Sequence, residues 1–440
     1  MRERPRIPPL LASFAIVLAL AAALALTDGP PPPGAAAPAA EPPPPHEAAS
    51  PQEIAARLER LRDLEFERVP EVRTLSAGEW RRKTAKMAEE GAGSASEQRE
   101  ADAVADFLKL SGLATPDFEI EQATEGVGEL IGGFYRPKSN RLVLVEQPLQ
   151  GPRGVESVTA HELDHALQDQ NYPDVLDLGS VTGEREIALS ALVEGDAGVV
   201  ERRYARRHLG ISPAAEEKSL LSPANLAAGL PPALVASVRF PYTAGADFVA
   251  TLERRGGWEL VDDAFEDPPT TSEQILHPGK WIAGEEGERV EPDGAAALGP
   301  GWQSLATVES GELDALVILA SGVPSDVAAR AAKGWQGGAF EALRLPGGGT
   351  ACRGVCRDRR AAVAVYEWED DAEAVEFAAA AVRYLAERLS GGRRDGLTFP
   401  VGDGAAAALA VDGRRTAVAY APSPELARRL ADDSALESGT

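Results

Sequence analysis

The sequence predicts an α+β fold: a mostly helical domain with a small strand pair, followed by a smaller C-terminal α+β domain. Three observations carry this. Apolar residues recur at helical spacing through most of 52–285. Two short apolar runs, Glu129–Tyr135 and Arg141–Val145, flank a turn at Arg136–Asn140. Beyond about residue 300, strand-like runs alternate with helices. A chain of 440 residues exceeds one ordinary core, so a leader plus two folded units is expected.

Residues 1–27 read as a signal peptide or a membrane anchor. Arg2, Arg4 and Arg6 precede an apolar stretch from Leu10 to Leu26, and Ala23-Leu24-Ala25 suits cleavage. The run of 17 residues also meets the lower limit for spanning a bilayer, so cleaved leader and retained anchor both fit. Either way the positive flank stays inside and the rest of the chain is exported. Residues 28–51 are dominated by Pro and Ala, including Pro30–Pro33 and Pro42–Pro45, and read as an extended spacer in which His46 is solvated.

Folded sequence begins near Gln52, where Ile54, Leu58, Leu61 and Leu64 share helical spacing. A second helix is expected from about Gly78 to Glu90, and a third after Ser94–Gln98, carrying Ala103, Phe107, Leu108 and Leu110. The strand pair comes next, then a helix from about Gly154 to Gln170 and another from about Glu184 to His208. Pro213, Pro223 and Pro231 break the following stretch into shorter helical pieces. Enrichment in Gly, Pro, Glu and Ala between Gly284 and Gly301 separates a domain at 52–285 from a second at 300–440. In the second, Ala361–Trp368, Ala406–Val411 and Thr416–Tyr420 read as strands, Ala372–Leu389 and Pro424–Leu430 as helices, and Asp412-Gly413 as a hairpin turn.

The formal charge of -25, from 69 acidic and 44 basic residues, excludes a generic nucleic-acid binder because phosphate would be repelled. Contact with a membrane is expected only through the N-terminal segment. Cys352 and Cys356, the only cysteines, lie close together in an exported chain and are expected to form a local disulfide.

The chemistry centres on His161-Glu-Leu-Asp-His165. An i, i+4 pair places both imidazoles on one helix face, where they can chelate a single ion. Zinc suits neutral imidazole, and Glu162 beside the first ligand can take a proton from water that the metal has acidified. The chain has five histidines, so two at this spacing around a glutamate is a specific signal. A catalytic zinc usually has three protein ligands. Glu184, Glu186, Glu194 and His208 are the candidates downstream. Glu194 is favoured, because its helical neighbours Ser190, Ala191, Ala197 and Gly198 are small enough for another helix to approach closely.

The run His161-Glu-Leu-Asp-His-Ala-Leu-Gln-Asp-Gln170, followed by Glu194-Gly-Asp-Ala197, resembles the gluzincin class of metallopeptidases. It is similar in particular to a group of bacterial extracytoplasmic neutral zinc metallopeptidases, as is Pro268-Pro-Thr-Thr-Ser-Glu-Gln-Ile-Leu-His-Pro278. The resemblance covers roughly 125–282 and is strongest at the metal motif. It implies a zincin-like domain, with zinc held by His161, His165 and Glu194 and with Glu162 as general base. It also implies a protein or peptide substrate whose backbone adds as a strand along Glu129–Tyr135.

His277 and Tyr135 are candidate donors to the oxyanion. Asp164 and Asp196 are candidates for orienting the imidazoles. Two rival readings stand beside this one: a catalytically inactive, zinc-containing cell-envelope binding protein, and hydrolysis of a non-peptide amide. Nothing in Leu313–Asp433 reads as a catalytic constellation.

Overall fold

The computed structural model describes residues 48–90, 95–119, 132–146, 151–173, 175–176, 182–211, 230–346, 355–389 and 394–436. The leader at 1–27, most of the spacer, Pro213, Pro223 and Cys352 lie outside the described residues. Cys356 is disulfide-bonded. No helix among the described residues is long and apolar enough to cross a membrane.

Helix α1 (Pro51–Arg62) starts one residue before Gln52, because Ser50 and Glu53 close a reciprocal capping box there. Strand β1 (Glu71–Leu75), helix α2 (Ala77–Glu90) and helix α3 (Ala95–Leu110) come after it. Next are β2 (Gly133–Arg136) and β3 (Arg141–Val145), then α4 (Pro152–Asn171) and α5 (Glu184–Tyr204), which runs on through a π-helical turn at Ala205–Leu209.

The first sheet has the order β1-β3-β2, with β2 antiparallel and β1 parallel to β3. β1 carries no clear sequence signal, since Glu-Val-Arg-Thr-Leu is mostly exposed and lacks a regular alternation. One sheet face packs Leu142 and Leu144 against Ile54, Leu58, Val158 and Leu163. The other packs Val143, Val145 and Leu75 against Trp80 of α2, with Phe134 alongside.

Helix α6 (Pro232–Glu266) corrects the expectation of short pieces after Pro231. Pro231 caps it and Pro232 occupies its first turn, where a missing N–H costs nothing. Pro241 sits within it, and Gly257, at φ 72° and ψ -165°, leaves the helical conformation and divides it at a kink into two helical stretches. Burial of Phe248, Val249, Leu252, Val261 and Phe265 against α5 outweighs the breaks.

Short helices α7 (Ser272–Leu276), α8 (Pro278–Ala283) and α9 (Gly294–Leu298) lead into the C-terminal unit. It comprises β4 (Gln303–Glu309), α10 (Glu312–Ala320), α11 (Ser325–Ala332), β5 (Trp335–Arg344), β6 (Arg360–Trp368), α12 (Asp371–Arg388), β7 (Thr398–Gly402), β8 (Ala405–Asp412), β9 (Arg415–Ala421) and α13 (Pro424–Ala435). Its antiparallel sheet has the order β4-β5-β6-β9-β8-β7. Alanines on β8 and β9 let α13 approach one face, while α12 covers the other. The β8–β9 hairpin turns at Gly413 with φ 54°, as the Asp-Gly pair predicts.

Helix α3 crosses the boundary drawn from sequence. Phe107 stacks on Phe340 at 4.7 Å, Asp106 pairs with Arg360 at 3.0 Å, and the Tyr384 hydroxyl donates to the Ser111 carbonyl at 2.7 Å. Its apolar face is legible as helical spacing, but spacing does not say which sheet will cover it. The overall architecture is α+β, with the C-terminal antiparallel sheet as its second half.

Candidate metal centre

Helices α4 and α5 pack side by side, and both are buried over most of their length. α4 presents His161 and His165 one turn apart, with ring centroids at 4.8 Å and planes at 87°. α5 presents Glu194 opposite them. Its Oε2 lies 3.3 Å from His161 Nε2, and its Oε1 lies 3.7 Å from His165 Nε2. The ligand atoms of the three side chains all lie within 4.8 Å of one another. Each residue is at most 3 % exposed.

The small residues around Glu194 meet α6. A Cβ on Gly245 would lie 2.0 Å from the Ala191 carbonyl oxygen, and one on Gly195 would lie 2.3 Å from the Gly245 carbonyl carbon. The backbones of α5 and α6 therefore touch directly. Contact at this distance carries Tyr242 of α6 to Glu194, where its hydroxyl favours the ionised carboxylate.

The far nitrogens of the two rings are already committed. His161 Nδ1 lies 3.1 Å from Glu201 Oε2, and the Ser157 hydroxyl donates to the other Glu201 oxygen at 2.7 Å. His165 Nδ1 lies 2.9 Å from Gln168 Oε1. The Gln168 amide nitrogen faces three acceptors, Asp164 Oδ2 at 3.1 Å, the Val193 carbonyl at 3.0 Å and Asp196 Oδ2 at 3.2 Å. That orientation of the amide makes Oε1 an acceptor, so His165 Nδ1 carries the proton and Nε2 keeps its lone pair. Both Nε2 atoms and both Glu194 oxygens lack a hydrogen bond of normal geometry. Four buried polar atoms left this way, facing one point, fit a cation.

The titration of the centre reflects the same geometry. Burial alone would lower His161, but the neighbouring carboxylates of Glu194 and Glu201 outweigh it and hold the ring well above its ordinary value. Burial and the charge of His161 push His165 down to about 3. Burial also raises Glu194, against which His161 and Tyr242 act.

Glu162 points from α4 toward β2. Burial pushes its carboxyl up to about 8, partly offset by His161 and the backbone N–H of Tyr135. β2 lies directly over it: a Cβ on Gly133 would stand 3.2 Å from Glu162 Cγ. Among the described residues β2 is an edge strand, paired only with β3.

Several sequence-predicted residues take other roles. The Tyr135 hydroxyl donates to Asp169 at 2.9 Å, tying β2 to α4, so it is not a free donor to an oxyanion. His277 Nε2 lies 2.9 Å from Glu312. Its helix α7 is held by Glu184, whose carboxylate accepts from Ser272 at 2.7 and 2.6 Å. Glu184 begins α5, about 15 Å along the axis from Glu194. His277 is thus held against α10 of the C-terminal unit, at the joint between the two halves.

Asp164 and Asp196 do not touch the imidazoles. They hold the amide of Gln168, and Glu201 and Gln168 do the orienting. Both were detectable in principle, since Gln168 is at i+3 from His165 and Glu201 lies two turns beyond Glu194. Arg62, which reaches Asp196 from α1, and Tyr242 carried no local signal.

Residues 302–431 match a family described as Domain of unknown function (DUF8575). No curated protein and no solved structure matches the chain. The family match covers the C-terminal sheet and leaves α4 and α5 outside.

Proposed function

We propose that the chain is a zinc-dependent peptidase working outside the cytoplasmic membrane. In this reading His161, His165 and Glu194 are the zinc ligands, Glu162 is the general base, and the helical domain is zincin-like. Zinc in such a site supplies Lewis acidity and a lowered water pKa. One observation carries the reading: two imidazole Nε2 atoms and a carboxylate converge, buried and without a hydrogen bond of normal geometry, beside a further buried carboxyl group on α4. A structural zinc site usually closes with four protein ligands, whereas three converge here among the described residues.

In this reading Glu162, ionised once a cation is bound beside it, would accept a proton from the attacking water and return it to the departing amine. Glu201 and Gln168 hold the imidazoles in the tautomer that leaves Nε2 free. β2, an edge strand among the described residues, offers that edge to a peptide backbone, which would lie across Glu162. Export rests on the reading of residues 1–27.

Zinc content and casein hydrolysis, measured for the native protein and for Glu162→Gln, test this. Both proteins should bind zinc, and the variant should lose about 10²- to 10⁴-fold in rate. Equal, nonzero hydrolysis by both would remove Glu162 as base. Bound zinc with no hydrolysis by either would favour the inactive envelope binding protein.

A further inference from the structure

Side chains on β2 alternate between two surfaces. Gly133 and Tyr135 face α4, as their contacts with Glu162 and Asp169 show. Phe134 and Arg136 face α2. There the Arg136 guanidinium lies 5.0 Å over the Phe134 ring, which in turn lies 5.2 Å from Trp80. Lys83 stands one turn of α2 beyond Trp80, and Arg73 sits on the same sheet face from β1, opposite Val143.

In a chain with 69 acidic residues, cations normally find carboxylates, as Arg141 does with Glu71 at 3.2 Å. Arg136, Lys83 and Arg73 make no ion pair among the described residues, although the Glu79 carboxyl, lowered first by Ser76, also feels the charges of Arg82 and Arg73. They crowd one another instead. Burial and then Arg136 and Arg73 lower Lys83, while burial and then Arg141 lower Arg136.

A strand added to the free edge of β2 places its residues opposite Phe134 and Arg136 on this same α2 surface. We propose that the substrate carries an acidic side chain, Asp or Glu, at one of these alternating positions. The Phe134 and Trp80 rings cover its stem, and Arg136 and Lys83 take its carboxylate. The inference rests on the peptidase reading and adds a substrate class to it, acidic peptides. Charge complementarity is the argument: a local basic surface on an acidic chain selects the one substrate charge that the rest of the molecule repels.

The test is a set of fluorogenic peptides scanned with Asp, Ala or Lys at each position around one scissile bond. The zinc-loaded native protein, Arg136→Glu, Lys83→Glu and Arg136→Gln serve as enzymes, and melting temperatures show that each is folded. At one position the native protein should prefer Asp over Lys by about fivefold or more in kcat/KM, and added salt should weaken the preference. The glutamate variants should invert it, and Arg136→Gln should flatten it while still cleaving the Ala peptide. Cleavage with no charge preference at any position would overturn the acidic-substrate inference and leave the peptidase standing. Failure to cleave any peptide would overturn both.

Discussion

Arg62 and Asp196 form an ion pair closed to solvent on both sides, with Arg62 Nε 2.9 Å from Asp196 Oδ1. A second guanidinium nitrogen reaches Asp262 at 2.8 Å, and the group stacks 4.4 Å from the Trp258 ring. Asp196 also accepts from Gln168, which orients His165. A charge on α1 is thereby linked to His165, a proposed metal ligand, through two hydrogen-bonded side chains.

Removing that charge should damage both stability and the centre. Arg62→Met leaves Asp196 and Asp164 buried without a counter-charge, a change expected to cost about 3–5 kcal/mol. With Asp196 unpaired, Gln168 loses its anchor, and zinc affinity should fall by about 10- to 100-fold. Denaturant unfolding and competition with a zinc chelator check the two effects separately. Native zinc affinity in a folded Arg62→Met protein would show that the relay does not reach His165.

The contact between α5 and α6 makes a sharper prediction. Gly245→Ala puts a methyl group 2.0 Å from a backbone oxygen of Ala191, which no side-chain rotation relieves. The helices must separate, at a cost of about 1–3 kcal/mol or more. Because Ala191 lies one turn before Glu194, zinc content should drop along with melting temperature. Gly279→Ala meets nothing within 4 Å and should change neither.

Stability should also depend on pH through Glu184, which burial, aided by Asp314, raises to about 8 from an ordinary 4.5. A carboxyl raised in the folded state binds its proton more tightly there than in the unfolded chain. Its contribution is therefore complete below pH 4.5 and is lost as pH rises through about 8. Between these limits the melting temperature should decline. Glu273, raised by burial to about 7, and Asp314, raised by burial to about 6, act in the same direction. Glu184→Gln mimics the protonated group and should flatten part of the slope, measured as melting temperature at pH 5.5 and 8.5. An unchanged slope would mean that the joint titrates elsewhere.

What was legible in the sequence was local. Helical spacing and caps located α1 to α5 to within a few residues, and the alternating runs located β2, β3, β6, β8 and β9. Long α6 was obscured because its prolines fall where breaks are expected, while the burial that overrides them comes from α5. Strands β4, β5 and β7 were missed along with β1, and their place is set by pairing with neighbours far away in the chain.

The same division holds at the centre. His161, Glu162 and His165 share one helix, so 3.6-residue periodicity alone determined that the two imidazoles would meet. Glu194 was favoured among four residues, and packing of α5 against α4 brings it together with the two imidazoles. The roles of Glu201, Gln168 and Arg62 as supports, the indirect action of Asp196 through Gln168, and the contact of His277 with Glu312 came only from tertiary structure. A hydrogen bond between side chains on different helices depends on crossing angle and depth, and sequence spacing encodes neither.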